Sequence, residues 1–594
     1  MAKRLRWYLA ELKRRKVYRV AVAYAVVAFV VWQVADIAFP GLGLPDAAVS
    51  LVLVLSILGF PVALVLAWAY EIAPEPVPGE GSPAATDEAR ISGAPESPEA
   101  GGMASSAADA HPGASEAREG SIAVLPFENL SSEADSEFFA DGVTEEITHT
   151  LAQFRGLRVV ARTSAFAFKG RAADIREVAR KLDVSHVLEG SVRRFGGRLR
   201  ITAQLVDARG GFHLWSERYD RDLDDVFAIQ EEIASEIAGQ LSARLSTSVR
   251  MTGPGDEAED VRSRSQRRPT DDLAAYDAYL RGRHQRAVFD PASLETAVRR
   301  FREAVELDPD FAEAHAALAE SYSAQAIGLG FTSRETMPRA RDAADRALAL
   351  APHLADAHLA RALVALFYDR DYERAKQGLD RALELNPNFA DAWLWSELYW
   401  TYVGCDFDAA VAATTRAQEL SPVDPSVKAR LGYVYLLFGH HDRAIDYFGT
   451  LIAEGQDHPL FHLGLGDTLV RCGAIAEGAG EAERALALMG SDRAPVAILG
   501  VVGGFRALSG DEEGARALLA RLEEARRTGF VTAFWRGHLH AGLGDMEAAF
   551  DCLDEALEER DCNLVYLCAI PEAFGLRDDP RFPALVERLG LPCA

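Results

Sequence analysis

From Val20 to Phe39 the chain is apolar at every position except Gln33 and Asp36, and from Ala47 to Tyr70 only Ser50 and Ser56 interrupt a second apolar run. Twenty residues rising ~1.5 Å each reach ~30 Å, the thickness of a hydrocarbon core, so the first run predicts a membrane-spanning helix. The second is long enough to span with some tilt or with a bend at Pro61. Pro40 to Asp46 forms a turn between them, which predicts a two-span helical hairpin over residues 20–70 with both ends on one side. A cleaved signal peptide would need a shorter apolar core, roughly 7–15 residues, followed by small residues, and neither run fits. Residues 71–120 contain seven prolines, seven glycines, ten acidic residues and no aromatic one, the composition of a disordered linker.

At Ile122 to Phe127 the pattern becomes that of a buried strand. Phe139, Val143, Ile147, Leu151 and Phe154 then recur at helical spacing, Leu157 to Val160 read as a strand, and Ile175, Val178, Ala179 and Leu182 mark a second helix. Leu199, Ile201, Ala203 and Leu205 alternate with Arg198, Arg200, Thr202 and Gln204, as in a half-exposed strand. Gly196-Gly197 and Gly210-Gly211 bracket it, predicting flanking strands near His186–Arg194 and Phe212–Tyr219. A last helix carries Ile229, Ile233, Ile237, Leu241 and Leu245. This order predicts an α/β domain with a mixed sheet over residues 121–245.

The runs "IAVLPFENLS", "FADGVTEEI", "LRVVARTSAFAFKG", "HVLEGSVRR", "RITAQLVDA" and "HLWSERYDR", in that order, resemble the TolB amino-terminal-like domain, related to the FlgO domain. The resemblance implies a non-enzymatic domain of envelope or signalling proteins, with no catalytic residues to carry over. It also implies the outer side of the inner membrane, against which the two predicted spans argue.

After a second polar linker at 246–270 the chain repeats itself. "ELDPDFAEAH", "ALAPHLADAH", "ELNPNFADAW" and "ELSPVDPSVK" carry Pro309, Pro352, Pro387 and Pro422, at intervals of 43, 35 and 35 residues. A period near 34 resembles the tetratricopeptide repeat, TPR, in which pairs of helices stack into a solenoid. Small residues at Ala375, Ala410 and Ala444 allow close helix approach, Leu431, Gly432, Tyr435 and Phe448 fill the space between, and each proline ends a second helix. The longer interval predicts an insertion around Ile327 to Pro338. Fainter units bring the number to about eight over residues 271–594, and "AFGLRDDPRFPALVERLGL" reads as a C-terminal capping helix.

Charge sharpens this picture. The net charge is −26, which excludes general nucleic-acid binding, since that needs a basic face. The first 19 residues nonetheless hold eight Lys and Arg against Glu11, with Leu5, Tyr8, Leu9 and Leu12 at helical spacing, as in a basic interfacial segment. The positive-inside rule then puts both termini in the cytoplasm, with a periplasmic C-terminal part as the alternative. Six cysteines without a Cys-x-x-Cys pair read as buried free thiols.

Candidate chemistry is sparse. Asp141, Glu145 and Glu146 could pair for acid/base work, but acidic residues also suit the first turn of a helix. The arginines between Arg193 and Arg200 read as a solvated face. No phosphate-binding loop and no Gly-x-Ser-x-Gly turn occurs; Gly464-Leu465-Gly466 and Gly542-Leu543-Gly544 lack a third glycine; His458 and His462 have the spacing of zinc ligands but no third one. No catalytic, cofactor or metal residues are therefore assigned, and no small-molecule substrate is evident.

The repeat array is the part whose architecture implies a task, because the first helices of a TPR solenoid line a concave surface that holds a peptide or helix. Mapping the repeat onto the fourth and fifth units places Asp391, Leu394, Leu398, Tyr433 and Leu436 in that groove, and the aromatic cluster Trp393, Trp395, Tyr399, Trp400 and Tyr402 in the packing between helices. The expectation is a non-enzymatic scaffold anchored in the inner membrane through residues 1–70, with a protein partner in its groove. The competing expectation is a signalling regulator related to adenylate-cyclase or winged-helix transcription-regulator architectures, without their effector domain.

Overall fold

The computed structural model describes residues 120–592, apart from 132–136, 155, 172–173, 196, 245–268, 289 and 329–330. The basic segment 1–19, the two expected spans, the linker 71–120 up to Glu119 and nearly all of 246–270 lie outside the described residues. Among the described residues no helix is long and apolar enough to cross a membrane.

The α/β region runs β1 (Ser121–Val124), β2 (Glu128–Asn129), α1 (Glu137–Ala152), β3 (Arg158–Val159), α2 (Arg162–Phe166), α3 (Ile175–Leu182), β4 (His186–Phe195), β5 (Arg198–Asp207), β6 (His213–Asp222) and α4 (Val226–Arg244). Its sheet has the order β3-β1-β4-β5-β6, with β2 beside β4. β1 is parallel to β3 and β4, whereas β4, β5 and β6 form an antiparallel meander. The sheet is mixed because crossovers through α1 to α3 return the chain in parallel, while the short turns after β4 and β5 can only reverse it. Leu199, Ile201, Ala203 and Leu205 of β5 are fully buried, together with Val143, Ile147 and Leu151 of α1 and Ile229, Ile233 and Ile237 of α4. A smaller core joins Ala123 and Val187 of the sheet to Val178, Ala179 and Leu182 of α3. On the polar side of β5, Arg198 and Arg200 both bind Asp220 of β6, at 3.0 and 2.6 Å.

Among the described residues eight helix pairs follow. They are α5 (Leu273–Arg286) with α6 (Pro291–Leu307), α7 (Ala312–Gly328) with α8 (Ser333–Leu350), α9 (Ala355–Val364) with α10 (Tyr372–Leu385) and α11 (Ala390–Tyr399) with α12 (Phe407–Leu420). The remaining four are α13 (Pro425–Leu437) with α14 (His441–Ala453), α15 (Pro459–Arg471) with α16 (Ile475–Met489), α17 (Val496–Leu508) with α18 (Glu512–Thr528) and α19 (Ala533–Gly542) with α20 (Met546–Glu558). Second helices stop at Leu307, Leu350, Leu385 and Leu420, two residues before each repeating proline. Aspartates cap many of the helices: Asp272, Asp290, Asp371, Asp406 and Asp424 each accept a backbone N–H of the first turn. Ala375, Ala410, Ala444 and Phe448 are fully buried. Gly432 and Gly464 bring neighbouring first helices onto the Phe448 ring, where a Cβ would stand 2.3 and 2.2 Å from it.

The extra residues of the long first interval lengthen the helices on either side of it: α7 and α8 have 17 and 18 residues, and Pro338 lies inside α8. Two expectations need correction. Four cysteines are free, but Cys405 and Cys472 are exposed rather than buried, and Cys568 is disulfide-bonded. The C-terminal segment does more than cap the last pair. The 3-10 stretch Cys562–Ala569 and the helix α21 (Phe582–Leu589) run back along the array. Tyr566 stacks edge-on against Tyr402 at 5.0 Å, Arg560 donates to the Tyr368 carbonyl, Arg471 to that of Ala569, and the Tyr372 hydroxyl to that of Leu589 at 2.8 Å. Leu564, Leu567, Phe574 and Leu576 are buried there, so burial of apolar surface holds the segment against the repeats.

Candidate binding site at the junction of the α/β domain and the first repeats

Helix α1 has two working faces. Phe139, Val143, Ile147 and Leu151 enter the core, while Asp141, Glu145, Glu146 and His149 turn towards the array. Gly142 lets α5 approach closely, since a Cβ there would lie 2.6 Å from the Leu280 side chain. The helix spans Glu137–Ala152 with Glu137 in its first turn, so Asp141, Glu145 and Glu146 are not first-turn residues; they are ion-pair partners across the junction. Asp141 accepts Lys169 Nζ at 2.6 Å and lies 3.1 Å from His284 Nδ1 of α5. Glu145 pairs with Arg162 at 3.1 Å and with Arg283 at 2.7 Å, and Arg283 also donates to Glu146 at 2.7 Å and to the Tyr279 hydroxyl at 2.9 Å.

Burial raises the pKa of each of these carboxyls, and the neighbouring cations decide the balance. Burial of Glu145 is outweighed by Arg283 and Arg162, which hold it below the usual carboxylate range. Burial of Asp141 is likewise outweighed, by its bonds to His284 and Lys169. For Glu146 burial prevails over Arg283 and the carboxyl is pushed up. One turn further along α5, Arg286 pairs with Glu320 of α7. Burial pushes Glu320 up to about 7 even against that guanidinium, and Asp356 of α9 adds to the rise.

The junction continues along the inter-repeat loops. The buried amide of Asn388 donates to the carbonyls of Ala152 and Leu157 at 3.0 and 2.8 Å, Ala161 N–H donates to Leu420 at 2.7 Å, and Val423 N–H to Ser164 Oγ at 3.3 Å. Between α1, α4 and the first helices α5, α7 and α9 this leaves an open-mouthed cavity of about 320 Å³. Its lining includes Glu146, Glu231, Glu313, Glu320 and Asp356, but only Arg283 and Arg286 as strong cations. Glu320 Oε1 and Asp356 Oδ2 are buried atoms without a hydrogen-bond partner among the described residues.

Of the five residues mapped to the groove, Asp391 is exposed on α11 and interacts electrostatically with Arg286, and Leu394 and Tyr433 are partly exposed. Leu398 and Leu436 are not available: at 2% and 1% exposure they are core residues, because apolar side chains on closely spaced first helices bury one another. Tyr433 rests edge-on against Phe448 at 5.7 Å, and burial raises its hydroxyl pKa. Trp395 meets Phe367 of the preceding pair at 5.5 Å, as expected for packing between helices, whereas Trp400 meets its chain neighbour Tyr399 at 5.3 Å and Trp393 Nε1 donates to the Pro387 carbonyl just before α11 at 2.9 Å. His458 caps α15, whereas His462 lies between Asp457 and Glu481, so the two do not converge. Gly464 and Gly466 lie within α15. Arg283, Glu320 and Asp356 escaped the sequence reading, although Glu313, Asp356 and Asp391 occupy the same place in the repeating "FAEAH", "LADAH" and "FADAW".

A family model described as "HilA/YgeH-like transcriptional regulator, second domain" matches residues 117–236, and the tetratricopeptide repeat model matches residues 532–560. Over 199 residues the chain is 44% identical to a Rhizobium meliloti protein named "Putative adenylate cyclase 3". That match takes in 34% of this chain and 32% of the relative, so the chain spans about a third of the length of the curated relative it matches. Among solved structures, yeast Tom70 is 14% identical, with 62% of this chain and 85% of that one covered at a TM-score of 0.35. A tetratricopeptide repeat protein from Parabacteroides merdae is 15% identical, with 47% and 100% covered at 0.34. The described chain is thus an α/β region with a mixed sheet joined to a TPR-type helical solenoid.

Proposed function

We propose that this protein is a non-enzymatic scaffold, anchored in the inner membrane by its first 70 residues with its termini in the cytoplasm, that recruits a protein partner through its helix-pair array. The observation that carries this reading is the run of eight pairs, whose fourth and fifth first helices present Asp391, Leu394 and Tyr433. The α/β domain packs on α5 and on the loops at Asn388 and Leu420, and the C-terminal segment on Tyr368, Tyr372 and Tyr402, so a partner has a narrower path than a free solenoid would offer. The apolar runs at 20–39 and 47–70 and the basic first 19 residues support the anchoring, and the TolB-like runs support a place in envelope or signalling assembly.

A photocrosslinking residue at Asp391 in the full-length chain tests the reading in cells. A discrete partner band is expected there and not from Arg302 on α6; equal yields from both positions would refute groove recruitment. Carbonate-washed membranes should retain the chain, and a phosphatase fused near Gly102 should be inactive; release of the chain or an active fusion would refute the anchoring or its sidedness.

A second reading, a signalling regulator, is favoured by the match at 117–236 and by the 44% identity to the Rhizobium protein. Since that reading has no effector domain of its own, loss of a cellular signalling output on deletion of residues 121–245, with crosslinking at Asp391 unchanged, would support it over the scaffold.

A further inference from the structure

The sheet of the α/β domain ends on β6, a ten-residue strand whose outer edge is paired with no other strand among the described residues. Such an edge carries a row of N–H and C=O groups and is a template for pairing. Which residues supply that row follows from the ladder on the other side. Leu223 N–H donates to the Gly197 carbonyl at 2.8 Å, and from there β5 and β6 pair residue by residue, Arg198 with Asp222 up to Gln204 with Ser216. Bonded and non-bonded pairs alternate in an antiparallel ladder, so Glu217, Tyr219 and Arg221 bond β5, whereas Ser216, Arg218, Asp220 and Asp222 turn their backbone groups to the outer edge. The Arg198 side chain reaches the Asp220 carbonyl at 3.4 Å, in keeping with a carbonyl outside the β5 ladder. Ser216, Glu217, Arg218, Asp220 and Asp222 are all exposed.

The charges along this edge follow a rule. Glu217-Arg218-Tyr219-Asp220-Arg221 runs minus, plus, neutral, minus, plus, so the sequence inverts in sign when reversed about Tyr219. Within one chain Arg198 and Arg200 hold Asp220, and Glu232 of α4 holds Arg221 at 2.7 Å. Glu217 accepts only the Tyr219 hydroxyl, at 3.3 Å, and neither Glu217 nor Arg218 has an ion-pair partner among the described residues.

We infer that β6 is the pairing edge for a second copy of this chain, the two strands running antiparallel about a two-fold axis at Tyr219. In that register Arg218 stands opposite Asp220 of the second copy and Glu217 opposite its Arg221, each twice, so the second copy supplies the counter-charges that one chain lacks. Arg218 and Asp220 of the second copy also exchange backbone hydrogen bonds, since both turn them outward. Moving the axis by one residue sets Arg218 or Asp220 against itself, so charge fixes the register. The edge shares no residue with the groove surface at Asp391, so pairing and partner recruitment are tested separately.

The test is oxidative crosslinking of the full-length chain in detergent micelles, with S216C in one preparation and D222C in another. Positions 216 and 222 of the two copies are opposite in this register, about 5.5 Å apart between Cα atoms and within disulfide reach. The same position in two copies is six residues apart along the strands, roughly 20 Å, and cannot join. The equimolar mixture is expected to give a dimer linked between the two substituted positions, identified by peptide mass spectrometry, and each preparation alone is not. R218D in both chains puts like charges opposite one another twice and is expected to lower the yield about fivefold or more, whereas R218K keeps the charge and the yield. Arg218 is exposed and has no ion pair in its own chain, so neither change disturbs the fold. The inference is overturned if the mixture forms no such link, if either preparation alone links through its substituted position, or if R218D leaves the yield unchanged.

Discussion

Replacement of Arg283 by methionine is the most direct test of how the α/β domain is held to the array. The guanidinium is the only cation in contact with both Glu145 and Glu146 among the described residues, and the three side chains are 15%, 10% and 15% exposed. Methionine keeps much of the apolar stem, so the loss is electrostatic: two nearly buried carboxylates remain, with Arg162 still beside Glu145. Breaking a buried pair costs about 3–5 kcal/mol, and the lower end applies here because Arg162 survives. At ~1.4 kcal/mol per tenfold, about 3 kcal/mol is an opening of α1 on the order of 100-fold more frequent. Native-state amide exchange of the peptide covering Glu137–Ala152 reads that opening without requiring two-state unfolding of the whole chain. The effect has a sign in pH. The depressed pKa of Glu145 contributes stability that is present above its unfolded value, near 4.5, and lost as pH falls through the folded one. Without Arg283 that contribution shrinks and Glu146, already raised, protonates more readily. The deficit should therefore be largest at pH 8 and smaller at pH 5, after correction for intrinsic exchange, and the triple change R283M/E145Q/E146Q should recover much of it. Unchanged α1 exchange, or an equal deficit at both pH values, would refute the reasoning.

Asn388→Ala leaves the carbonyls of Ala152 and Leu157 without their donor, and a loss of about 2 kcal/mol is expected in the exchange of the same helix. Glu320, raised to about 7, contributes stability that is fully present below its unfolded pKa and lost as pH rises through the folded one. Between about pH 4.5 and 7 the junction should weaken as pH rises, and E320Q should flatten that slope in exchange measured on α7. Leu567 is fully buried in the C-terminal segment, so L567A is expected to cost about 2–4 kcal/mol and to lower protection in α10 and α20 together. Loss confined to α20 would show that the segment is only a cap.

The elements that could be read along the chain are those whose periodicity reports a single boundary between core and water. Alternation at Leu199 to Leu205 named β5 and its buried face, since the opposite face of that strand is polar. Proline two residues beyond Leu307, Leu350, Leu385 and Leu420 named the ends of second helices, since a proline nitrogen has no proton for the helix and its ring blocks the turn before it. Reading faces within the first helices succeeded less well. Asp391 is open, but Leu398 and Leu436 fall in the core, because a repeat position states a direction and not what another pair or a distant segment brings to meet it.

By itself the sequence determined the mixed α/β pattern, the helix pairs and their period, since each depends on residues within a turn or a strand of one another. The tertiary structure alone decided that Arg283 meets Glu145 and Glu146, that Asn388 caps carbonyls more than 200 residues away, and that Tyr566 comes back to Tyr402. Charge pairs and hydrogen bonds act over a few ångströms in space, and local periodicity contains no record of which distant segments the fold brings within that range.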